Sequence, residues 1–251
     1  MNDPTRHSPV SRRAVLSRSA GAMFGAGLLG AGLLGAGLLG AGPLGAITPA
    51  AMANPGLTEG FPGETTVIYD VVRDGAVVGS YRFEFTEENG DLLVRSKVGI
   101  DVSLLIIPVY SLRHEALERW RDGEMIEFHS ETDDNGTERV VDIVPEGGEF
   151  RVVHNGDIDM RPGEALLGTL WHPDTPLASM LLDPIKGKLR DVTITDQGVE
   201  TITVPLGTVE ARHYAIRGEI AQDVWYGPDG HLWQAEFPVK MGGVLILRRR
   251  Q

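Results

Sequence analysis

The sequence predicts an all-β protein: an antiparallel meander of about ten strands that forms an open or closed barrel, with one short helical insert. Three observations carry this prediction. From Glu64 onward apolar residues recur at every second position, turn dipeptides such as Asn89-Gly90 separate these runs, and one proline-rich segment, Pro162–Pro184, breaks the alternation. About ten sequential strands tend to curl or close, because an open sheet leaves unpaired edges. A two-sheet sandwich is the alternative architecture.

The composition restricts the class of protein. The chain has 251 residues, with 35 acidic and 23 basic side chains and no cysteine. Without residues 1–53 the net charge of the remaining chain is −15, which disfavours nucleic acid and anionic lipid as partners. The lack of cysteine excludes disulfides, thiolate metal sites and a cysteine nucleophile. We therefore expect one acidic domain over residues 54–251, with no cofactor and no metal site.

The N-terminal segment has the features of an export signal. Basic residues precede a stretch from Ser19 to Thr58 without charge, and Ala51-Met52-Ala53 is a small-x-small site that a signal peptidase can accept. The pair Arg12-Arg13, followed by apolar residues, resembles a twin-arginine signal. We expect cleavage after Ala53, with the translocase and the signal peptidase as transient partners and a periplasmic or secreted product. Because about 20 residues span a bilayer, a retained membrane anchor is the alternative.

The strands follow in order from the alternation and from the dipeptides between them. Seven dipeptides have the composition of type I′ hairpin turns, which need positive φ angles: Asp74-Gly75, Asn89-Gly90, Asp122-Gly123, Asn135-Gly136, Gly147-Gly148, Asn155-Gly156 and Asp229-Gly230. The predicted strands are Thr65–Arg73, Ala76–Thr86, Leu92–Tyr110, Val109–Arg121, Met125–Thr132, Arg139–Val144, Phe150–His154, Leu189–Thr195, Val199–Val204, Val209–Arg217, Glu219–Tyr226, Leu232–Val239 and Gly243–Arg248.

Two segments depart from simple alternation. The block Val102–Ile107 is almost continuously apolar and ends at Pro108, which indicates a bend or bulge. Strands buried on both faces have such runs, so the block is either a wall that faces a ligand or ordinary core. Within the insert at 162–184, Leu177–Leu182 follows Thr175-Pro176 and suits one or two helical turns.

The order of several short motifs resembles a family of exported bacterial proteins known only as a domain of unknown function. These motifs are Tyr69-Asp70-Val71 with Arg73-Asp74-Gly75, Ile107-Pro108-Val109-Tyr110, Glu118-Arg119-Trp120-Arg121-Asp122-Gly123 and Thr132-Asp133-Asp134-Asn135-Gly136. The resemblance covers essentially all of residues 54–251. It implies a periplasmic location and a β-rich fold, and it supplies no activity. The predicted architecture also resembles open half-barrel carriers of lipids.

Histidine and acidic residues give the candidate catalytic groups. His172 and Asp174 lie in the insert and could orient an imidazole for acid–base chemistry. Alternatively, the neighbouring Trp171 plugs the barrel mouth and these polar residues face water. His114 and Glu118 would share a helix face, but on a strand they lie about 13 Å apart, too far to bind one metal ion.

The leading hypothesis is a binding or carrier module for an apolar or amphipathic ligand, such as a small molecule or a lipid. Trp120, Trp171, Trp225 and Glu118 are its candidate ligand-binding residues. A hydrolase-type enzyme that uses His172 with Asp174 or His114 is the second hypothesis, and it requires these side chains to converge in one pocket. A structural envelope protein that binds a partner through an edge strand is the third.

Overall fold

The computed structural model describes residues 65–104, 106–239 and 243–251. The predicted signal, with Arg12, Arg13 and the cleavage site after Ala53, lies outside the described residues. Within the described ranges, no helix is both long enough and apolar enough to cross a bilayer.

These residues form fifteen β-strands, more than the ten expected. The first eight are β1 (Thr65–Arg73), β2 (Ala76–Glu88), β3 (Asp91–Leu104), β4 (Ile107–Arg121), β5 (Glu124–Asp134), β6 (Thr137–Glu146), β7 (Glu149–His154) and β8 (Asp157–Pro162). The other seven are β9 (Leu166–Leu167), β10 (Met180–Leu182), β11 (Leu189–Val204), β12 (Gly207–Gly218), β13 (Gln222–Tyr226), β14 (Leu232–Pro238) and β15 (Val244–Arg249). Of the thirteen predicted segments, Leu189–Thr195 and Val199–Val204 form the single strand β11, and the structure adds β8, β9 and β10, which are short and lack a clear apolar alternation.

Turn chemistry produces the hairpins of the first half. In the six predicted turns from Asp74-Gly75 to Asn155-Gly156, both residues have positive φ, for example 54° at Asn89 and 85° at Gly90. These angles match the type I′ turns that connect twisted antiparallel strands. The prediction is wrong for Asp229-Gly230, where only the glycine has positive φ.

One continuous sheet contains all fifteen strands, in the order β8-β7-β6-β5-β4-β3-β2-β1-β15-β14-β13-β12-β11-β10-β9. Neighbouring strands are antiparallel except β9 and β10, which are parallel. The two edge strands, β8 and β9, are joined by only three residues, Gly163 to Ala165. Because four peptide links span at most about 14 Å, the edges lie close together. The sheet is therefore rolled into a barrel-like shape.

The insert differs from the prediction in its secondary structure. A 3₁₀ turn occupies Thr175–Leu177, whereas Met180–Leu182, predicted as helical, is strand β10. β10 pairs with β9 and with β11, and these backbone hydrogen bonds favour an extended conformation over a helix. From here on "the insert" denotes residues 163–188, which connect β8 to β11.

The main core lies on the inner face of the rolled sheet. Alternate residues of the first strands point inward, among them Val71, Phe83, Val94 and Leu112, and Leu181 and Leu182 of the insert pack with them. A second, smaller apolar cluster of Ile202, Val204, Ala211 and Trp225 is separate from this core. The insert therefore fills part of the interior that the sheet surrounds.

In the described part of the apolar block Val102–Ile107, the end formed by Ile106 and Ile107 is neither a cavity wall nor core, so the prediction is wrong for these residues. The side chains of Ile106 and Ile107 are 94% and 63% exposed. Val102, at the start of the block, packs against the core. The block forms the end of the β3–β4 hairpin, beyond the region where neighbouring strands could cover it.

Candidate binding site on the inner face

Glu118 is the polar centre of the candidate site. It lies on the inner face of β4, between the inward residues Ala116 and Trp120, and it is fully buried. The indole nitrogen of Trp120 donates a hydrogen bond to Oε2 at 3.0 Å, and that of Trp171 donates one to Oε1 at 2.9 Å. The second bond connects the sheet to the insert.

Burial raises the pKa of Glu118 to about 7. The cause is desolvation, which disfavours the ionised carboxylate. The hydrogen bonds from Trp171 and Trp120, and the nearby hydroxyl of Thr169, oppose this shift but do not cancel it. Glu118 therefore exchanges a proton close to neutral pH although its side chain is fully buried.

Aromatic rings surround this carboxyl group. Trp171 contacts Trp120 edge to face, with ring centroids 5.4 Å apart, and it contacts Phe85 in the same way at 5.4 Å. The imidazole of His172 lies over Trp120 at 4.9 Å. We call Phe85, Trp120, Trp171 and His172 the aromatic cluster. Tyr81 and Phe83 extend it along the inner face of β2.

The backbone before Trp171 is strained. Leu170 has φ of 67°, a left-handed conformation that costs a non-glycine residue about 1–2 kcal/mol. The hydroxyl of Tyr226 donates a hydrogen bond to the Leu170 carbonyl at 2.8 Å. This contact and the Trp171–Glu118 bond hold the insert in a conformation that its own backbone does not favour.

His172 and Asp174 do not form a catalytic pair in this structure. Nδ1 of His172 accepts a hydrogen bond from the backbone N–H of Asp174 at 3.1 Å, while the Asp174 carboxylate lies 4.0 Å from the same nitrogen. Nε2 is buried without a hydrogen-bond partner in the described part of the chain. Burial lowers the pKa of His172, so the imidazole is neutral at neutral pH.

His114 belongs to a different part of the interior. It lies on the inner face of β4, four residues before Glu118, and its Nδ1 is 2.8 Å from the Thr132 hydroxyl. Burial lowers its pKa to about 4. The nearest carboxylate that affects it from the insert is Asp183, whose side chain pairs with Arg190. His114 therefore contacts Thr132, whereas His172 contacts Trp120 and the backbone of Asp174.

Trp225 is also separate from the aromatic cluster. It stacks on His213 at 4.4 Å and donates a hydrogen bond to Glu200 at 2.6 Å. Its indole packs in the second apolar cluster, on the other face of the sheet. Of the four candidate ligand-binding residues, the structure brings together Glu118, Trp120 and Trp171.

Two hydroxyls of the site carry no obvious signal in the sequence. Ser96 on β3 faces Tyr81, and Thr169 in the insert faces Glu118. Both oxygens are buried without a hydrogen bond of normal geometry among the described residues. Ser96 could have been recognised because it is polar at an inward position, between Val94 and Val98. Thr169 lies in an irregular segment where no such alternation exists.

Two other features bear on ligand binding. Within the described ranges, no group of three or more His, Asp or Glu side chains is arranged to hold a metal ion. A groove of about 460 Å³ lies on the outer face of β2–β5 and is lined mainly by charged side chains such as Arg82, Lys97 and Glu115. That lining does not suit an apolar ligand, so the inner face is the better candidate.

Comparison with known proteins agrees with this fold. No curated protein matches the sequence. A solved structure titled as a beta-barrel-like protein of domain of unknown function DUF1849, from Brucella abortus, is similar with a TM-score of 0.54 and 12% identity, over 75% of this chain and 95% of that one. A likeness at this identity concerns the fold alone. The profile of the family described as domain of unknown function DUF6134 matches residues 69–250, and the chain therefore belongs to that family.

Proposed function

We propose that the protein is a periplasmic binding or carrier module for an apolar or amphipathic ligand, and that the ligand binds on the inner face at the aromatic cluster. The observation that carries this proposal is the contact between insert and sheet. A strained segment covers a row of aromatic rings and is held there by the hydrogen bond from Trp171 to the buried Glu118 carboxyl and by the hydrogen bond from Tyr226 to the Leu170 carbonyl.

The aromatic cluster offers the chemistry that such a ligand needs. Phe85, Trp120 and Trp171 present large apolar surfaces, and the buried hydroxyls of Ser96 and Thr169, which face Tyr81 and Glu118, retain further hydrogen-bonding capacity for a ligand. Binding sites for small molecules commonly combine an apolar lining with a few polar groups. A ligand with an apolar body and a hydrogen-bonding head matches this arrangement.

Binding requires that the insert moves away from the sheet. Leu181, Leu182 and Ile185 of the insert are fully buried, so they now occupy the space that a ligand would take. The strain at Leu170 reduces the cost of this movement, because a displaced segment regains a relaxed backbone. A bound ligand would replace the apolar contacts that the insert loses.

The hydrolase alternative has less support. It needs His172 to act with Asp174 or His114, but the Asp174 carboxylate is outside hydrogen-bond distance of Nδ1 and His114 contacts Thr132 instead. A general base must reach the proton it accepts within about 2.6–3.2 Å.

The four tryptophans allow a direct test of the binding site. In the double variant Trp225→Phe/Trp233→Phe, only Trp120 and Trp171 fluoresce. We expect palmitic acid or lysophosphatidylcholine to shift its emission. The matched variant Trp120→Phe/Trp171→Phe, which retains Trp225 and Trp233, should show no shift. Native mass spectrometry of the unsubstituted protein should detect the same ligand; no uptake, or a shift confined to the second variant, would contradict the proposal.

The proposed periplasmic location rests on the N-terminal sequence and has its own test. The double variant Arg12→Lys/Arg13→Lys should remain in the cytoplasm of a bacterial host, because a twin-arginine signal requires the arginine pair. The control Arg18→Lys should be exported and processed. Mass spectrometry of the exported protein should give a chain that begins at Asn54. Export of the double variant would contradict the twin-arginine assignment, and an intact N-terminus would indicate a retained anchor.

A further inference from the structure

The β3–β4 hairpin ends in an exposed apolar tip, which we define as Ile106, Ile107, Pro108 and Val109. Ile106 is 94% exposed, Ile107 63% and Val109 39%. Exposed apolar side chains that lie together, unlike isolated ones, commonly mark an interaction site. The aromatic cluster and the proposed ligand do not involve this part of the chain.

The tip is separated from the rest of the sheet. Pairing of β3 with β2 ends at Ile100 and Gly79, and pairing of β4 with β5 ends at Leu112 and Asp134. Tyr110 and Ser111 still make hydrogen bonds to Asp134 and Asn135. From Val109 onward the described residues of β4 pair with β3 alone, down to Leu104 and Ile107. The tip can therefore leave water and enter an apolar medium without disturbing the rest of the sheet.

Charge is absent from the tip and balanced at its base. Residues 102–112 contain no charged side chain. At the base, Nη2 of Arg113 donates hydrogen bonds to both carboxylate oxygens of Asp101, at 2.9 and 2.8 Å. Nη1 of the same guanidinium donates to the carbonyls of Ile100 and Leu112. The arginine has its partners within the hairpin, so the tip offers no cation for an acidic partner.

The size of the tip indicates what it can contact. A stable protein interface buries about 800 Å² on each partner, more than these few side chains provide. A lipid surface has no such minimum, because each apolar side chain gains separately on leaving water. Since residues 54–251 carry a net charge of −15, an anionic lipid surface would repel the protein. A zwitterionic surface would not.

We propose that the apolar tip inserts into the surface of a zwitterionic lipid bilayer, with Ile106 and Ile107 as the side chains that leave water. The ion pair of Asp101 and Arg113 then lies at the level of the lipid head groups. This attachment is reversible, because only a few side chains enter the apolar phase. The proposal is independent of the ligand site, since it concerns different residues and a different binding event.

Vesicles of phosphatidylcholine and phosphatidylethanolamine test the proposal. The double variant Ile106→Ser/Ile107→Ser should bind them about tenfold more weakly than the unsubstituted protein in a flotation assay. The matched control Ile158→Ser/Leu177→Ser removes two other exposed apolar side chains, 59% and 79% exposed, and should bind like the unsubstituted protein. All proteins are prepared in the same way, so whatever remains of the N-terminal segment is common to them.

Three results would overturn the proposal. The first is equal vesicle binding by both double variants and the unsubstituted protein. The second is stronger binding to vesicles that contain anionic lipid. The third is concentration-dependent dimerisation in analytical ultracentrifugation that the Ile106→Ser/Ile107→Ser variant loses, which would make the tip an interface between copies of this chain. Because both isoleucines are exposed, thermal unfolding of the variant should match that of the unsubstituted protein and show that its fold is intact.

Discussion

A carboxyl group that leaves water binds its proton more tightly, because burial disfavours the charged form. At Glu118 two indole N–H groups compensate only part of this effect, and the pKa remains raised to about 7. The unfolded chain releases the same proton near pH 4.5. Between these values the folded protein carries one proton more than the unfolded protein, so the free energy of unfolding falls as the pH rises.

The variant Glu118→Gln should remove this dependence. Relative to the variant, the unsubstituted protein should lose about 3 kcal/mol of stability between pH 4.5 and 7, at about 1.4 kcal/mol per pH unit, and lose no more above pH 7. Urea unfolding at several pH values measures the difference. The control Glu115→Gln removes an exposed carboxylate from the outer face of the same strand. A difference between unsubstituted protein and Glu118→Gln that stays constant with pH would contradict the prediction.

His114 should give a dependence of opposite sign. Its pKa is about 4 in the folded protein against 6.5 in the unfolded chain, so below pH 6.5 the unfolded chain binds the extra proton. Relative to His114→Gln, the unsubstituted protein should therefore lose stability as the pH falls from 6.5 to 4. Between pH 4.5 and 6.5 the contributions of His114 and Glu118 oppose each other in the unsubstituted protein. Urea unfolding of the two variants should separate these contributions. If the difference in free energy of unfolding between the unsubstituted protein and each variant changed with pH in the same direction for both, one of the two assignments would be wrong.

At the scale of elements, the insert packs closely against the inner face of the sheet near its C-terminal end. Gly187 has φ of 60°, and a Cβ atom there would lie 2.8 Å from a methyl group of Val152 on β7. The Ser130 hydroxyl on β5 donates a hydrogen bond to the Pro184 carbonyl at 2.7 Å. The backbone of this end of the insert therefore lies directly against side chains of the sheet.

Gly187→Ala should consequently destabilise the protein by about 2–4 kcal/mol, because it adds a steric clash to the cost of a positive φ. The matched control is Gly136→Ala, whose φ is 84° and whose Cβ would meet nothing within 4 Å. Gly136→Ala should destabilise the protein by only about 1 kcal/mol, because it adds the cost of a positive φ and no steric clash. Thermal or urea unfolding compares the two; equal losses would show that the insert does not pack closely at Gly187.

The sequence predicts those elements whose local chemistry decides their structure. The turns from Asp74-Gly75 to Asn155-Gly156 and the long strands between them follow from φ preferences and alternation. The sequence predicts Leu177–Leu182 as helical from the preceding Thr175-Pro176. The extended form of Met180–Leu182 instead depends on pairing with β9 and β11, which the local sequence does not indicate. Similarly, only the paths of the neighbouring strands determine that Ile106 and Ile107 are exposed.

The candidate site likewise has parts that local sequence predicts and parts that depend on how the chain folds. Glu118 and Trp120 share a face because residues i and i+2 of a strand do so. Trp171 joins them because the insert folds back over the inner face, and this cannot be deduced from strand periodicity. Trp225 points to the other face from its neighbours Val224 and Tyr226, as strand alternation requires. Which of the two faces is the inner one depends on how the sheet rolls, and alternation alone does not determine this.

At the scale of the whole molecule, β15 pairs with both β1 and β14. It thereby joins the two halves of the rolled sheet, which are β1 to β8 on one side and β9 to β14 on the other. β15 lies near the C-terminus but occupies a central position in the sheet. Leu247, which is 1% exposed, pairs with Val71 on one side and Ala235 on the other. Loss of packing at this strand should therefore affect both halves, not only the C-terminal one.

Leu247→Ala tests this coupling and should destabilise the protein by about 3 kcal/mol, as expected for a buried leucine. Ile246→Ala, a half-buried neighbour that points to the other face, should cost about 1 kcal/mol. In the Trp225→Phe/Trp233→Phe background, the fluorescence of Trp120 and Trp171 reports the first half and the insert, whereas far-UV circular dichroism reports the entire sheet. Both signals should shift together, in one transition, because the halves share a continuous sheet. If Leu247→Ala shifted the circular dichroism transition and left the tryptophan transition in place, the two halves would be unfolding independently.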